Sequence, residues 1–143
     1  MTDAMIIGGS SGMGLALART LLAEGMTVTI VGRAAQRLDA ARSELAQIAG
    51  PDRIRTASAD IAREDDVAAL FASTGQIDHI VVTAADATGV YGPTSTVATA
   101  AARSIVETKL LGAWLVAKHA AGRVTGSITY TSGINAYRPN GAN

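Results

Sequence analysis

The stretch 4–18, AMIIGGSSGMGLALA, is the strongest constraint on how this chain folds. An apolar run, Ala4 to Ile7, enters a glycine-rich turn, and the turn opens into a helical pattern beginning near Met13. Each of Gly8, Gly12 and Gly14 has a physical use: a sharp turn off a strand, close approach of the backbone to a pyrophosphate, and tight packing of helix on strand. A helix starting there presents free N–H groups and the positive end of its dipole, which suit an anion. A tight strand-to-helix turn without a ligand would use the same glycines, so the rest of the chain must decide.

Five apolar segments alternate with helical ones. The strands are expected at Ala4–Ile7, Thr27–Val31, Arg53–Ser58, Ile77–Thr83 and Ser127–Thr131. The helices are expected at Met13–Glu24, Ala35–Ala49, Arg63–Ser73 and Ser95–Ala121, and the last dozen residues, with Gly133, Pro139 and Gly141, are expected as loop. In the first helix Gly14, Leu17, Ala18 and Leu21 follow i, i+3, i+4, i+7 spacing and form a narrow stripe fit to press on a sheet. Hydrophobic residues make up 48% of the chain but aromatics only 3%, so the core must be Ala, Val, Ile and Leu, the packing of parallel sheets. Strand–helix alternation implies α/β architecture, a doubly wound parallel sheet with right-handed crossovers and ligands at the carboxyl ends of the strands.

Composition narrows the chemistry. Twelve basic residues balance twelve acidic ones, so no net field recruits nucleic acid or an anionic membrane, and a small-molecule ligand is the expected partner. With no cysteine there are no thiolate metal sites or cysteine nucleophiles, and His79 and His119 have no ligand-like neighbours at a recognisable spacing, so no metal is expected. The start, Met1-Thr2-Asp3, lacks the basic segment of a signal peptide, and the apolar runs are shorter than a bilayer span; a cytoplasmic protein is expected.

The common dinucleotide fingerprint has one residue between its first two glycines, whereas Gly8, Gly12 and Gly14 are spaced three and then one apart. That spacing resembles the Thr-Gly-x-x-x-Gly-x-Gly opening of the short-chain dehydrogenase/reductase family, with Ile7 in the threonine position and Ser10-Ser11 in the phosphate-facing loop beside Met13. The resemblance implies a Rossmann-type sheet of order 3-2-1-4-5 and a nicotinamide dinucleotide. At the end of the second strand Gly32-Arg33 stands where an NAD binder would present a carboxylate. A guanidinium there suits a 2′-phosphate, which favours NADP(H) over NAD(H), although a solvated arginine starting the next helix would look the same. Arg37, one turn on, would assist or stay solvated. Asp60-Ile61 resembles the family pair that meets the adenine, and Asp60 equally suits a helix cap. The family's Asn-Asn-Ala-Gly aligns with Val82-Thr83-Ala84-Ala85, keeping the small residues and losing the asparagines.

Catalytic residues resemble the family less. Lys109, in Lys109-Leu110-Leu111-Gly112, occupies the family's asparagine position, where an ammonium would hold a water or substrate oxygen or simply reach solvent. Gly126–Gly133 resembles the fifth-strand motif, but an ungapped alignment puts Gly133 on the catalytic serine, leaving Ser132 as the nearest hydroxyl. The family's Tyr-x-x-x-Lys pair is absent: four residues after Tyr91, Tyr130 and Tyr137 stand Ser95, Ile134 and Gly141, and by family spacing the tyrosine would fall just past Asn143. Residues 1–143 are thus expected to be a single NAD(P)-binding Rossmann domain without the family's C-terminal helix–strand elements, either a fragment or a truncated binding protein.

Three functional readings follow. The first is an NADP(H)-dependent oxidoreductase moving a hydride between the nicotinamide and a carbonyl or alcohol, self-associating as a dimer or tetramer as the resemblance implies. The second is a non-catalytic dinucleotide-binding or scaffold protein. The third is a flavodoxin-like five-stranded domain, which suits the length but not the glycine turn.

Overall fold

The computed structural model describes residues 2–133. Five parallel strands, β1 (Asp3–Ile7), β2 (Thr27–Gly32), β3 (Ile54–Ser58), β4 (Ile77–Val82) and β5 (Val124–Tyr130), form one sheet of order β3-β2-β1-β4-β5. This is the expected Rossmann-type order. A flavodoxin-like domain would place its third strand beside the first; here β3 lies beyond β2, which removes that alternative.

Helices α1 (Gly12–Ala23), α2 (Ala35–Leu45), α3 (Glu64–Ala72) and α5 (Gly112–Ala120) cover the sheet, while α4 (Thr99–Val106) leads into α5 and buries none of its own residues. Because side chains alternate across a strand, neighbouring residues of β1 enter different cores. Ile6, Val28, Ile30 and Ile54 pack with Ala18, Leu22 and Leu38 of α1 and α2. Met5, Ile7, Val31, Ile80 and Val82 pack with Phe71 of α3 and with Leu115 and Val116 of α5. The central strands are therefore apolar on both faces, which explains their near-continuous Val/Ile content. In α1 the fully buried positions are Gly14, Ala18 and Leu22, one helical row of small-to-medium residues that lets the helix lie close to the sheet.

Several boundaries differ from those expected. The long helix expected over Ser95–Ala121 begins at Thr99 and changes pitch at Glu107–Leu111, a π-helical turn between α4 and α5. Such a turn inserts one extra residue into the helical register and recurs at functional sites. Hydrophobic periodicity is nearly blind to a one-residue insertion, so the sequence pattern stays helical throughout. Helix α2 stops at Leu45 rather than Ala49, and β5 begins at Val124 rather than Ser127, paired with β4 through an irregular register between Ile77 and His79. The loop expected for the last dozen residues falls almost wholly outside the described ones. Among the described residues, no helix is long and apolar enough to cross a membrane.

Candidate functional site

Strand order reverses between β1 and β4, and their carboxyl ends open into a cleft of about 500 Å³. Most of the residues singled out from the sequence line it: Gly8, Ser10, Ser11, Gly12 and Met13 from the glycine turn, Arg33 after β2, Asp60 and Ile61 after β3, and Thr83 and Ala84 after β4. Arg37 of α2 lines it as well. Registry explains the convergence. Ile7 is level with Val31 on one side and Val82 on the other, so segments widely separated in sequence leave the sheet on one rim.

The glycine turn is tied down from two sides. Gly8 N–H donates to Val31 O at 2.8 Å, and Thr83 and Ala84 N–H both donate to Ile7 O, at 2.8 and 3.0 Å. Gly8 has φ +95°, and a methyl group there would lie 2.6 Å from Thr83 Oγ1 and 2.7 Å from Ala84 N. Gly14 does not line the cleft but sits beneath it: a methyl on Gly14 would run into the Gly8 carbonyl. These two glycines let turn, helix and β4 meet at backbone distance. Gly12 is different, since a side chain there would meet no protein atom within 4 Å; its space is open.

Ser11 precedes the first turn of α1 without a side-chain capping hydrogen bond, so its hydroxyl is not spent on its own helix. An uncapped helix start with two serines and open room beside a glycine is chemically suited to a phosphate. The Thr83 hydroxyl, by contrast, is 3.2 Å from Ile7 O and 3.3 Å from Gly8 O, and donates to the turn. Asp60 is not the cap of α3: its Oδ1 accepts Ala62 N–H at 3.0 Å, while Asp66 Oδ2 accepts Asp60 N–H at 3.0 Å, shaping a bend that leaves Asp60 and Ile61 on the cleft wall.

Two polar lining residues were missed from sequence. Asp86, just after Ala84-Ala85, sends Oδ2 to within 3.6 Å of Arg33 Nη1, and its Oδ1 accepts Thr88 N–H at 3.3 Å. Hydrogen bonds from Thr88, with the Arg33 charge adding to them, hold this carboxyl below the usual aspartate range. Thr108 is buried; its hydroxyl donates to Ser104 O at 3.0 Å and accepts Asp86 N–H at 3.1 Å, pinning the post-β4 loop to the helix. The only signal for either was position: Asp86 ends a small-residue run, and Thr108 adjoins Lys109.

Lys109 and Ser132 lie outside the lining. Lys109, on the π-turn, donates from Nζ to Thr131 Oγ1 at 2.8 Å and Thr131 O at 3.2 Å, and burial lowers its pKa. Ser132, next to Thr131 beyond β5, is exposed. Among the described residues no cluster of His, Asp or Glu could hold a metal.

The sequence pattern of the short chain dehydrogenases matches residues 2–141. The chain is 39% identical over 79 residues to 3-dehydrosphinganine reductase TSC10A of Arabidopsis thaliana, covering 55% of this chain and 24% of that protein. Its fold is similar to that of a short-chain type dehydrogenase/reductase from Mycobacterium ulcerans, with a TM-score of 0.83 and 32% identity, covering 94% of this chain and 52% of that one. It is also similar to an actinorhodin polyketide ketoreductase crystallised with NADPH, with a TM-score of 0.85 and 26% identity over 99% of this chain and 56% of that one. The chain spans little more than half the length of those structures, and less of the plant enzyme. With the family pattern running over nearly all of it, the chain belongs to the short-chain dehydrogenase/reductase family.

Proposed function

We propose that this chain is the dinucleotide-binding part of an oxidoreductase that moves a hydride between NADP(H) and a carbonyl or alcohol substrate. One observation carries the reading. Residues picked out for a dinucleotide from four separate segments meet on one cleft at the switch point, with Ser11 uncapped and the space at Gly12 open. In this reading the pyrophosphate lies against Ser10–Met13 and the α1 N-terminus. Asp60-Ile61 flanks the adenine, Ala84 admits the ring system, and Arg33, with Arg37 behind it, receives the 2′-phosphate. The bound nicotinamide supplies or accepts the hydride. Relatives support the class: the ketoreductase above was crystallised with NADPH, and the plant relative is named a reductase.

On the substrate side, Lys109 and Ser132 are the candidate groups near the end of β5. Fluorescence titration of the full chain with NADPH and NADH, followed by a ketone and aldehyde panel, tests the reading. Saturable NADPH binding with turnover is the expected result, and absence of binding to either nucleotide overturns it.

A second reading, a dinucleotide-binding scaffold without turnover, is favoured by Gly133 at the family's serine position and by the engagement of Lys109 with Thr131. Tight NADPH binding with no turnover across the panel would establish it. Either form is proposed to self-associate. Val106, Leu110, Leu111 and Trp114 leave an apolar strip exposed along α4, the π-turn and α5, a face that does not enter the cores described above. Leu110→Glu is expected to shift the assembly toward monomer in sedimentation velocity.

A further inference from the structure

The cleft carries both signs of charge. Arg33 and Arg37 face it from the end of β2 and from α2, and Asp60 and Asp86 from the segments after β3 and β4. Of these four, Arg33 and Asp86 are paired across the rim, between strands that are not neighbours: β1 separates β2 from β4. Their 3.6 Å separation is too long for a good hydrogen bond, so charge draws the guanidinium over while its N–H donors stay available.

The two ends of the pair differ in freedom. Arg33 is 59% exposed on a long flexible side chain, whereas Asp86 is 27% exposed and fixed. Its Oδ1 accepts from Thr88 N–H, and its own N–H is held by the buried Thr108. Asp86 is the post and Arg33 the strap.

We infer, on the dinucleotide reading above, that Asp86 is a specificity-determining residue: it holds the Arg33 guanidinium across the cleft and competes for it with the 2′-phosphate of NADP(H). A phosphate offers Arg33 a bidentate, charge-assisted partner, which a single contact to a carboxylate at 3.6 Å does not match. The phosphate therefore wins, but only after the strap has opened. NAD(H) has a hydroxyl at that place and does not compete for Arg33. Asp86 thus narrows the margin by which the cleft prefers NADP(H), and the preference is set from β4 as well as from β2.

Asp86→Asn tests this, because the amide oxygen still accepts from Thr88 N–H while the charge is gone; Asp86→Ser serves as a second, smaller replacement, with circular dichroism to check folding. In the full chain, both are expected to lower the Kd for NADPH about three- to fivefold, the scale of one exposed ion pair, and to move the Kd for NADH less than about twofold. In an Arg33→Ala background the gain is expected to vanish. An unchanged or weaker Kd for NADPH overturns the inference alone, as does a gain that persists without Arg33, since that would be general repulsion and not a strap. Failure of the unsubstituted chain to bind either nucleotide overturns the dinucleotide reading and this inference with it.

Discussion

Lys109 reaches from the π-turn to the end of β5, where its Nζ donates to the Oγ1 of Thr131 at 2.8 Å, and the Thr131 hydroxyl in turn donates to Val82 O of β4 at 3.2 Å. The lysine thereby ties the helix to both strands at the rim of the sheet. Lys109→Met keeps the length of the stem and removes the donors. Because the pair is only partly buried, a loss of about 1 kcal/mol in urea unfolding is expected.

The same lysine sets a pH dependence. Burial lowers its pKa, so the folded chain binds this proton less tightly than the unfolded chain does. Charging Lys109 therefore costs stability at pH below its lowered pKa, and that cost is relieved as pH rises through it toward the ordinary lysine value of roughly 10.4. The deficit of Lys109→Met relative to the natural chain is expected to widen over that alkaline window. Parallel stability–pH curves for the two chains would contradict the assignment.

The glycines of the turn are expected to rank by cause. Gly8→Ala meets both a positive φ and contacts at 2.6–2.7 Å with Thr83 and Ala84, and should cost about 3 kcal/mol or more. Gly12→Ala meets only its φ of +53°, with open space beyond, and should cost about 1 kcal/mol. Gly75→Ala meets neither and should be nearly silent. Thermal unfolding of the three variants measures the order, and Gly8→Ala and Gly12→Ala, both at the cleft lining, are expected to impair NADPH binding beyond their effect on stability, whereas Gly75→Ala is not.

Gly112, at the start of α5, lies against the wall of the cleft: a methyl there would sit 2.9 Å from Ile61 Cδ1 and 3.1 Å from Ile61 O. Gly112→Ala is expected to destabilise by about 1–3 kcal/mol and, by displacing Ile61, to weaken binding of NADPH and NADH equally. A selective effect on one nucleotide would place Ile61 elsewhere in the site.

Arg33→Ala should behave in the opposite way. Losing a charge-assisted pair with the 2′-phosphate is expected to weaken NADPH binding by about 1–3 kcal/mol and to change NADH binding little. Equal losses, measured by fluorescence titration, would contradict the 2′-phosphate role.

Local chemistry determined much of this protein. The glycine spacing, the β-branched runs and the strand–helix alternation specify the sheet and the rim on which a ligand would sit, because strand and helix periodicities and turn residues act over a few neighbours. Ile7, Asp60-Ile61 and Thr83-Ala84 were legible through their resemblance to family motifs, and Arg33 through its place at the end of the second strand. Tertiary structure decided what depends on registry between distant segments. It brought Asp86 to Arg33 across an intervening strand and spent the Thr83 hydroxyl on the turn. It also inserted a π-turn that delivers Lys109 to Thr131 outside the cleft lining. No window of sequence encodes those pairings, since each depends on where packing of the two cores sets one element against another.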